Sequence, residues 1–236
     1  MKLYQSLARN PLAKRIYRGL LNLSIPAPRV IVRPLWYGVT LLQQIWYMTF
    51  RIFFCEPLFK GACHSYGKNV HTGSFLHWIQ GAGDIKLGDN VTIDGKCSII
   101  FASRYTERPE LVIGNNSGVG HHCSFVIGTR ITLGDSVRIG SQVTFFDSPG
   151  HPIDAETRKA GAPANSEDVR AITVGNNVWI GTNAVIFPGV SIGENSVVAY
   201  GAVVMSDVPP NVVVAGNPAR RVASVPTGGS ALEKAL

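Results

Sequence analysis

The chain has 236 residues, a hydrophobic fraction of 45% and a formal net charge of +7. Residues 1–60 hold nine of the 22 basic residues and a single acid, Glu56, so the whole positive excess lies in this segment. Because the remaining residues carry no basic stripe with interleaved aromatic side chains, we expect no nucleic-acid-binding surface. The length and composition fit one domain with an appended segment.

The N-terminal segment, residues 1–60, is predicted to be helical and to contact an anionic membrane surface. Its second half, residues 30–54, is the most apolar stretch of the chain and is rich in Trp, Tyr and Phe. Four polar residues interrupt it, broadly on one helical face: Thr40, Gln43, Gln44 and Arg51. This pattern favours a helix that lies in the interface over one that spans the bilayer. The alternative is a helical cap, or an oligomer contact, packed on the first coil of the following domain.

The location of the protein is predicted from the same end of the chain. The first thirty residues lack an apolar core that ends in a small-residue cleavage site, so we expect no signal peptide. The four cysteines form no CxxC pair, and two of them occupy apolar repeat positions, which predicts reduced thiols. We therefore expect a cytoplasmic protein, peripheral to the inner face of a bacterial cytoplasmic membrane.

A six-residue repeat dominates residues 174–208. A branched aliphatic residue opens every hexad, and a small or apolar residue follows four positions later. The six opening residues are Val174, Ile180, Ile186, Ile192, Val198 and Val204. Neither a helical period nor simple strand alternation places apolar residues in this way, whereas a parallel β-helix does. The pattern predicts a mainly β domain over residues 61–224, followed by a C-terminal tail, residues 225–236.

The coil length follows from a recurring start signal, an aliphatic residue followed by Gly and then Asp, Asn or Glu. It occurs at Leu87, Ile113, Leu133, Val174 and Ile192. The last two are 18 residues apart, which is three hexads, so the coil is three-sided. The wider spacings imply insertions of 8, 2 and 23 residues near 103–110, 128–130 and 148–170. Because solenoids place added length in loops on a binding face, the excursion loop 148–170 is the first candidate for chemistry.

Residues 61–86 are predicted to form an irregular first coil. Three apolar residues are the candidates for its inward positions: Val70, Phe75 and Ile85.

The hexads, with the runs that begin at Val174, Ile186 and Val212, resemble the hexapeptide-repeat acyltransferases, nearest to their sugar O-acetyltransferases. The resemblance covers about residues 85–226. It implies a left-handed parallel β-helix, a homotrimer with active sites between neighbouring subunits, and acetyl-CoA as the acyl donor. It further implies transfer to a sugar hydroxyl. Together with a membrane-proximal N-terminal segment, this predicts a lipid-linked or nucleotide-linked sugar as acceptor, in surface polysaccharide or lipid-linked glycan synthesis. An N-acyltransferase acting on an amino sugar and a non-catalytic trimeric scaffold are the alternatives.

His151 is the predicted catalytic base. It stands in the run FFDSPGHPID, residues 145–154, where the resembling enzymes carry their catalytic histidine. A sugar hydroxyl attacks a thioester only if a base removes its proton, and imidazoles in general titrate near neutral pH. Asp147 is the candidate to orient the imidazole, with Asp154 or a backbone carbonyl as alternatives.

The resemblance also implies the residues that contact the acyl donor. They are Trp179 of the Asn-Asn-Val-Trp motif, Thr182 at a Ser/Thr position, Tyr200, and Arg220 and Arg221 near the nucleotide phosphates. Tyr200 departs from the family, which has a small residue at that place.

His121 and His122 are the candidates for the acceptor cleft. The polar acceptor positions of the galactoside enzymes fall at Gly120 and Gly128 here, which predicts an acceptor other than a simple galactoside. The spaced histidine pair of zinc-binding relatives of this fold is missing, so we expect no metal.

Overall fold

The computed structural model describes residues 11–226 and divides the chain into two compact units, one up to Trp46 and one from Tyr47. The N-terminal elements are helical: α1 (Pro11–Leu21), α2 (Arg29–Phe50), a π-helical turn (Arg51–Cys55) and α3 (Glu56–Ala62). The sequence prediction of helices in residues 1–60 is thus confirmed from residue 11 onward, and its first ten residues lie outside the described range.

Helices α1 and α2 expose their apolar side chains, since neither has a buried residue. Trp36 and Trp46, for example, are 59% and 63% exposed. Within residues 11–226 no helix reaches the combination of length and hydropathy that a bilayer crossing requires.

Between residues 11 and 226, twenty short strands, β1 to β20, build three sheets, and every third strand from β1 to β18 joins the same sheet. Sheet A contains β1 (Ser65–Tyr66), β4 (Asp84–Leu87), β7 (Glu110–Ile113), β10 (Arg130–Leu133), β13 (Ile172–Val174) and β16 (Ser191–Ile192). Sheet B contains β2 (His71–Thr72), β5 (Thr92–Ile93), β8 (Gly118–Val119), β11 (Arg138–Ile139), β14 (Trp179–Ile180), β17 (Val197–Val198), β19 (Val212–Ala215) and β20 (Arg220–Ser224). Sheet C contains β3 (Trp78–Gln80), β6 (Ser98–Phe101), β9 (Ser124–Ile127), β12 (Thr144–Phe146), β15 (Val185–Ile186) and β18 (Val203–Val204).

All strand pairs are parallel except β19–β20, so the chain is a three-sided parallel β-helix. The predicted coil starts are confirmed by register, because each is the Cα partner of the next: Leu87, Ile113, Leu133, Val174 and Ile192. Their side chains are at most 6% exposed and lie in one continuous core. Burying each such side chain contributes roughly 1.5–3 kcal/mol, which is why the six-residue rhythm fixes the winding.

The three corners of the coil differ in how much added chain they hold. We call them the AB, BC and CA corners after the sheets that they join. All three predicted insertions lie at the CA corner, between β6 and β7, between β9 and β10, and between β12 and β13. The longest of them, the excursion loop, contains α4 (Ala155–Lys159) and a 3₁₀ turn (Ser166–Asp168).

The first coil is closed by α3. Phe59 of this helix is 3% exposed and belongs to the core of the coil, and Cys55 just before it is 1% exposed. Val70 and Ile85 are buried as expected, but the inward placement of Phe75 is wrong, since its side chain is 43% exposed. Phe75 instead contacts the ring of Tyr47, at a centroid distance of 5.9 Å.

The cysteines are free thiols, as the sequence predicted. Cys97 and Cys123 are fully buried at equivalent positions of neighbouring coils, where they act as small core residues.

Side-chain amides link the coils at the AB corner. Asparagines occupy its left-handed position, with φ between 55° and 60°, and each donates its amide to the next. The hydrogen bonds run in two series, from Asn69 through Asn90 to Asn116, and from Asn177 through Asn195 to Asn211. Ser136 stands between the two series at φ 59° and interrupts the ladder.

Candidate active site

His151 lies at the CA corner, directly after the last core strand that precedes the excursion loop. Its side chain is exposed, whereas the ring of Pro152 beside it is buried. The buried proline fixes the backbone at this point, because its φ is locked near −65°. The imidazole next to this fixed point is therefore accessible to solvent at the CA corner.

Asp147 is fully buried beneath this loop. One carboxylate oxygen accepts from the backbone N–H of Gly128 at 2.5 Å. The other accepts from the N–H and hydroxyl of Thr129, at 2.8 and 2.9 Å, and from the N–H of Arg130 at 2.8 Å. Burial raises the pKa of this carboxyl, and the four donors oppose that rise. The carboxylate is thus a clamp between two CA-corner loops.

Neither carboxylate near His151 is hydrogen-bonded to it among the described residues. Both oxygens of Asp147 are occupied by the preceding loop. Asp154 instead caps α4, where it accepts from the hydroxyl and the N–H of Thr157, at 2.5 and 2.8 Å, and these hydrogen bonds lower its pKa. An orienting role for either carboxylate therefore stays a prediction from the sequence.

Contacts within the CA corner order the excursion loop. Arg158 donates to the carbonyls of Pro152 and Ile153 at 3.0 and 2.8 Å. The hydroxyl of Tyr105, from the earlier insertion, donates to the carbonyl of Ala164 at 3.3 Å. The two inserted loops therefore support each other and the short segment that carries His151.

Predicted acceptor and donor residues lie in register at the BC corner. Its strand residues Val119, Ile139, Ile180 and Val198 are consecutive Cα partners, so the residues two positions later align: His121, Ser141, Thr182 and Tyr200. His121 Nδ1 lies 3.0 Å from Ser141 Oγ and 3.6 Å from Asp94 Oδ2. His122 occupies the left-handed corner position, φ 57°, and its ring meets that of His121 edge to face.

An apolar groove of about 610 Å³ lies beside this corner. Its lining gathers three of the predicted donor residues, Trp179, Thr182 and Tyr200. Trp179 is 54% exposed, and the Tyr200 hydroxyl accepts from Asn183 Nδ2 at 2.7 Å. Gly181 forms part of the floor, where a Cβ would lie 2.7 Å from the backbone N of Tyr200. Only glycine allows the coils to approach this closely.

The predicted phosphate-contacting arginines lie outside this groove. Arg220 and Arg221 line a separate depression of about 320 Å³ with Asp207. Arg221 donates to Ser224 Oγ at 2.8 Å, and Arg220 donates to the carbonyl of Ala219 at 2.8 Å. The structure therefore brings together three of the five predicted donor residues.

The sequence analysis missed two walls of the groove. Val197 and Val213 lie beside Trp179 on sheet B, and strand register alone could have placed Val197 there. The opposite wall, Ala223 to Pro226, depends on the antiparallel return of β20, for which the hexads give no signal.

His151 and the groove lie at different corners of the same chain. The described lining of the groove includes no residue of the excursion loop. Within residues 11–226 no group of three His, Cys, Asp or Glu side chains could hold a metal ion.

Comparison with known proteins agrees with this architecture. A family model described as bacterial transferase hexapeptide (six repeats) matches residues 171–205. A solved galactoside acetyltransferase in complex with coenzyme A is 33% identical, and the alignment covers 72% of this chain and 70% of that one, with a TM-score of 0.51. This chain belongs to the hexapeptide-repeat acyltransferase family.

Two further proteins are similar to this chain. Galactoside O-acetyltransferase of Escherichia coli (strain K12) is 43% identical over 139 residues, which are 59% of this chain and 63% of that protein. The chain thus matches less than two thirds of this relative. An N-acyltransferase of Bacillus cereus, AntD, solved as a mutant with dTDP and coenzyme A, superposes with a TM-score of 0.60 at 23% identity. That alignment covers 73% of this chain and 89% of AntD, and it supports the fold alone.

Proposed function

We propose that the protein is an acetyl-CoA-dependent O-acetyltransferase that acetylates a sugar hydroxyl. The observation that carries this proposal is the apolar groove, because it unites Trp179, Thr182 and Tyr200, which the family pattern assigns to the acyl donor. A related galactoside acetyltransferase was solved with coenzyme A bound. A groove of this size and apolar character suits the pantetheine arm of the donor.

His151 is proposed as the base. Its imidazole removes the proton of the acceptor hydroxyl as the oxygen attacks the thioester carbonyl. The C–S bond then breaks, and the imidazolium returns the proton to the departing thiolate. Backbone N–H groups stabilise the oxyanion that forms between these two steps. Asp147 supports this geometry from below as a positioning residue, through the 128–130 loop.

A complete site on this account needs a neighbouring copy. The base stands at the CA corner and the donor groove adjoins the BC corner of one chain. In a homotrimer of left-handed coils, the CA corner of one subunit faces the groove of the next. The site is then shared between subunits, and no metal takes part.

The acceptor is proposed to bind at His121 and His122. The hydroxyl of Ser141 lies 3.0 Å from Nδ1 of His121, so Nε2 is the nitrogen left to contact a sugar hydroxyl. Arg220 and Arg221 are proposed to contact the nucleotide phosphates of the donor from the adjoining depression. The glycan would belong to surface polysaccharide or lipid-linked synthesis.

The N-terminal segment is proposed to hold the enzyme on the inner face of a bacterial cytoplasmic membrane. Its +8 net charge and the exposed aromatic side chains of α2 support an interfacial helix on anionic lipid. In this proposal, residues 1–60 contact the membrane, residues 61–224 form the catalytic coil and residues 225–236 form a C-terminal tail.

The test is thiol release from acetyl-CoA with a panel of sugars, amino sugars and lipid-linked glycans. We expect acceptor-dependent release, and a product whose acetyl group is removed by hydroxylamine, as esters are and amides are not. A hydroxylamine-resistant product formed only from amino sugars would favour N-acyl transfer. No release with any acceptor, from protein that binds no acetyl-CoA, would favour the scaffold alternative.

A further inference from the structure

The three insertions at the CA corner meet in one small group of residues. We call it the CA cluster, and its members are Tyr105, Gly128, Ser148, Ala164 and Val169. Tyr105 is half-buried, whereas the other residues from 103 to 108 are exposed. Ser148, Ala164 and Val169, from the excursion loop, are at most 8% exposed. Most of that loop is exposed, so these residues belong to the part of it that packs.

Gly128 leaves the space in which the cluster packs. It lies on the coil between the one that carries Tyr105 and the one that carries the excursion loop. A Cβ there would lie 2.7 Å from Val169 Cγ1, 3.1 Å from Tyr105 Cδ2 and 3.2 Å from Ser148 Cβ. Carbon atoms in ordinary contact are about 3.5–4.0 Å apart. Because the middle coil has no side chain at this point, Tyr105 can reach the loop of the coil beyond it.

A hydrogen bond also joins Tyr105 to the excursion loop. Its hydroxyl donates to the carbonyl of Ala164 at 3.3 Å. Within the loop, Arg158 donates to the carbonyl of Pro152 at 3.0 Å, which connects α4 to the residue next to His151. The contacts of Tyr105 are therefore made with the loop whose backbone carries the proposed base.

The CA cluster contains no charged side chain. Its members therefore act on the placement of the loop by packing and by one neutral hydrogen bond, and not on the charge of the imidazole. Placement matters greatly for a base, since a displacement of about 1 Å can reduce the rate of a reaction roughly 100-fold.

We propose that Tyr105 is a positioning residue for His151. Its ring and hydroxyl hold the excursion loop so that the imidazole stays where it can take the proton of the acceptor. This inference rests on the proposed function, and it makes the insertion at residues 103–110, two coils before the excursion loop, a part of the catalytic machinery.

The test compares acetyl transfer by Tyr105→Ala and Tyr105→Phe with that of the wild type, all as the full chain. We expect kcat to fall by ~10–100-fold in the Ala variant. The Phe variant keeps the ring beside Gly128, so its kcat should fall by at most about threefold, because the bond that it loses is long and neutral. The KM for acetyl-CoA should not change, since the described lining of the groove includes no residue of the CA cluster. Arg104→Ala, an exposed neighbour in the same insertion, is the matched control and should keep full activity.

A double-variant cycle tests whether Tyr105 acts through the imidazole. In a His151→Ala background, Tyr105→Ala should lower the residual rate no further, because no base is left to misplace. Losses that multiply in the double variant would overturn the proposal, since Tyr105 would then act independently of His151. Wild-type kcat in Tyr105→Ala would overturn it as well.

Hydrogen exchange distinguishes a failure of this inference from a failure of the proposed function. We expect backbone amides of residues 157–164 to exchange about tenfold faster in Tyr105→Ala, and those of sheet B to keep their wild-type rates. Unchanged exchange in the loop, or faster exchange throughout the coil, would overturn the inference whatever the rate of transfer. If the wild type transfers no acetyl group to any acceptor, the proposed function fails, and faster exchange confined to the loop still supports its placement by Tyr105.

Discussion

The AB and CA corners of the coil pass through the same number of turns but have opposite characters. At the AB corner, asparagine amides bond from coil to coil and no residue is inserted. At the CA corner, every insertion of the chain accumulates, and the loops are held by a buried carboxylate and by contacts with one another. A corner whose side chains close a regular ladder resists added length. A corner without such a ladder can acquire loops, and the proposed base lies there.

The largest effect expected at the CA corner comes from His151→Ala. If the imidazole is the base, kcat falls by ~10²–10⁴-fold, because the acceptor hydroxyl keeps its proton during attack. Thiol release from acetyl-CoA at saturating acceptor measures the change. Ile153→Ala is the matched control, since this side chain is 86% exposed in the same loop. Full activity in the His151 variant would contradict the claim that the CA corner carries the catalytic base.

Asp147→Asn sharpens the comparison from the structural side. The amide would turn an N–H group toward the donors of residues 128–130, leaving buried donors unpaired at about 1–3 kcal/mol each. We expect the free energy of unfolding to fall by about 2–4 kcal/mol in urea titrations. Glu167→Gln, an exposed change in the same loop, serves as the control and should have no effect.

The same variant separates a clamp from an orienter. A clamp lowers kcat without moving the pH profile of transfer, because it acts through the backbone. If the pH profile of Asp147→Asn shifts while its stability is unchanged, then Asp147 orients the base directly.

Partly buried His77, at the BC corner of the first coil, is expected to make the stability of the fold sensitive to acid. Burial against Phe59 lowers its pKa from 6.5 to about 4, and its Nδ1 has no partner among the described residues. The fold therefore favours the neutral ring. The stability present above pH 6.5 is lost as the pH falls toward 4, by about 2 kcal/mol at pH 5. Thermal unfolding at pH 7.5 and pH 5 should show a smaller acid loss in His77→Gln than in the wild type. Equal losses would contradict the assignment.

The smallest effect concerns the gap in the AB ladder. Ser136→Asn places an amide between Asn116 and Asn177 at a left-handed position that asparagine tolerates well. We expect a gain of about 0.5–1.5 kcal/mol in unfolding free energy, because the new amide can make two solvent-exposed hydrogen bonds, one to each neighbouring coil. Ser136→Ala is the control, because it adds no amide. A destabilised Asn variant would show that the ladder is not what stabilises this corner.

The sequence predicted those features that the core dictates. The register of the coil starts, the three insertions and the buried thiols of Cys97 and Cys123 all follow from a fixed aliphatic period, and all are confirmed. Phe75 was misplaced because the first coil has no hexads to set its phase. The hydrogen bonds of Asp147 were not foreseen, since they connect residues about twenty positions apart through loop geometry.

The candidate site was predictable only in part for the same reason. Trp179, Thr182 and Tyr200 converge because strand register aligns them, and register follows from the hexads. The wall from Ala223 to Pro226 follows a reversal that no repeat encodes. Arg220 and Arg221, which precede this wall on β20, line a separate depression.

The most direct test of a site shared between subunits is complementation between two inactive variants. His151→Ala lacks the base. Thr182→Trp fills the groove, at a corner position where Tyr200 of the next coil already carries a bulky ring. Each variant alone should be inactive, and mixed oligomers from co-expression should regain acetyl transfer, because an intact His151 then faces an intact groove. Mixed oligomers that form and remain inactive would contradict the shared site.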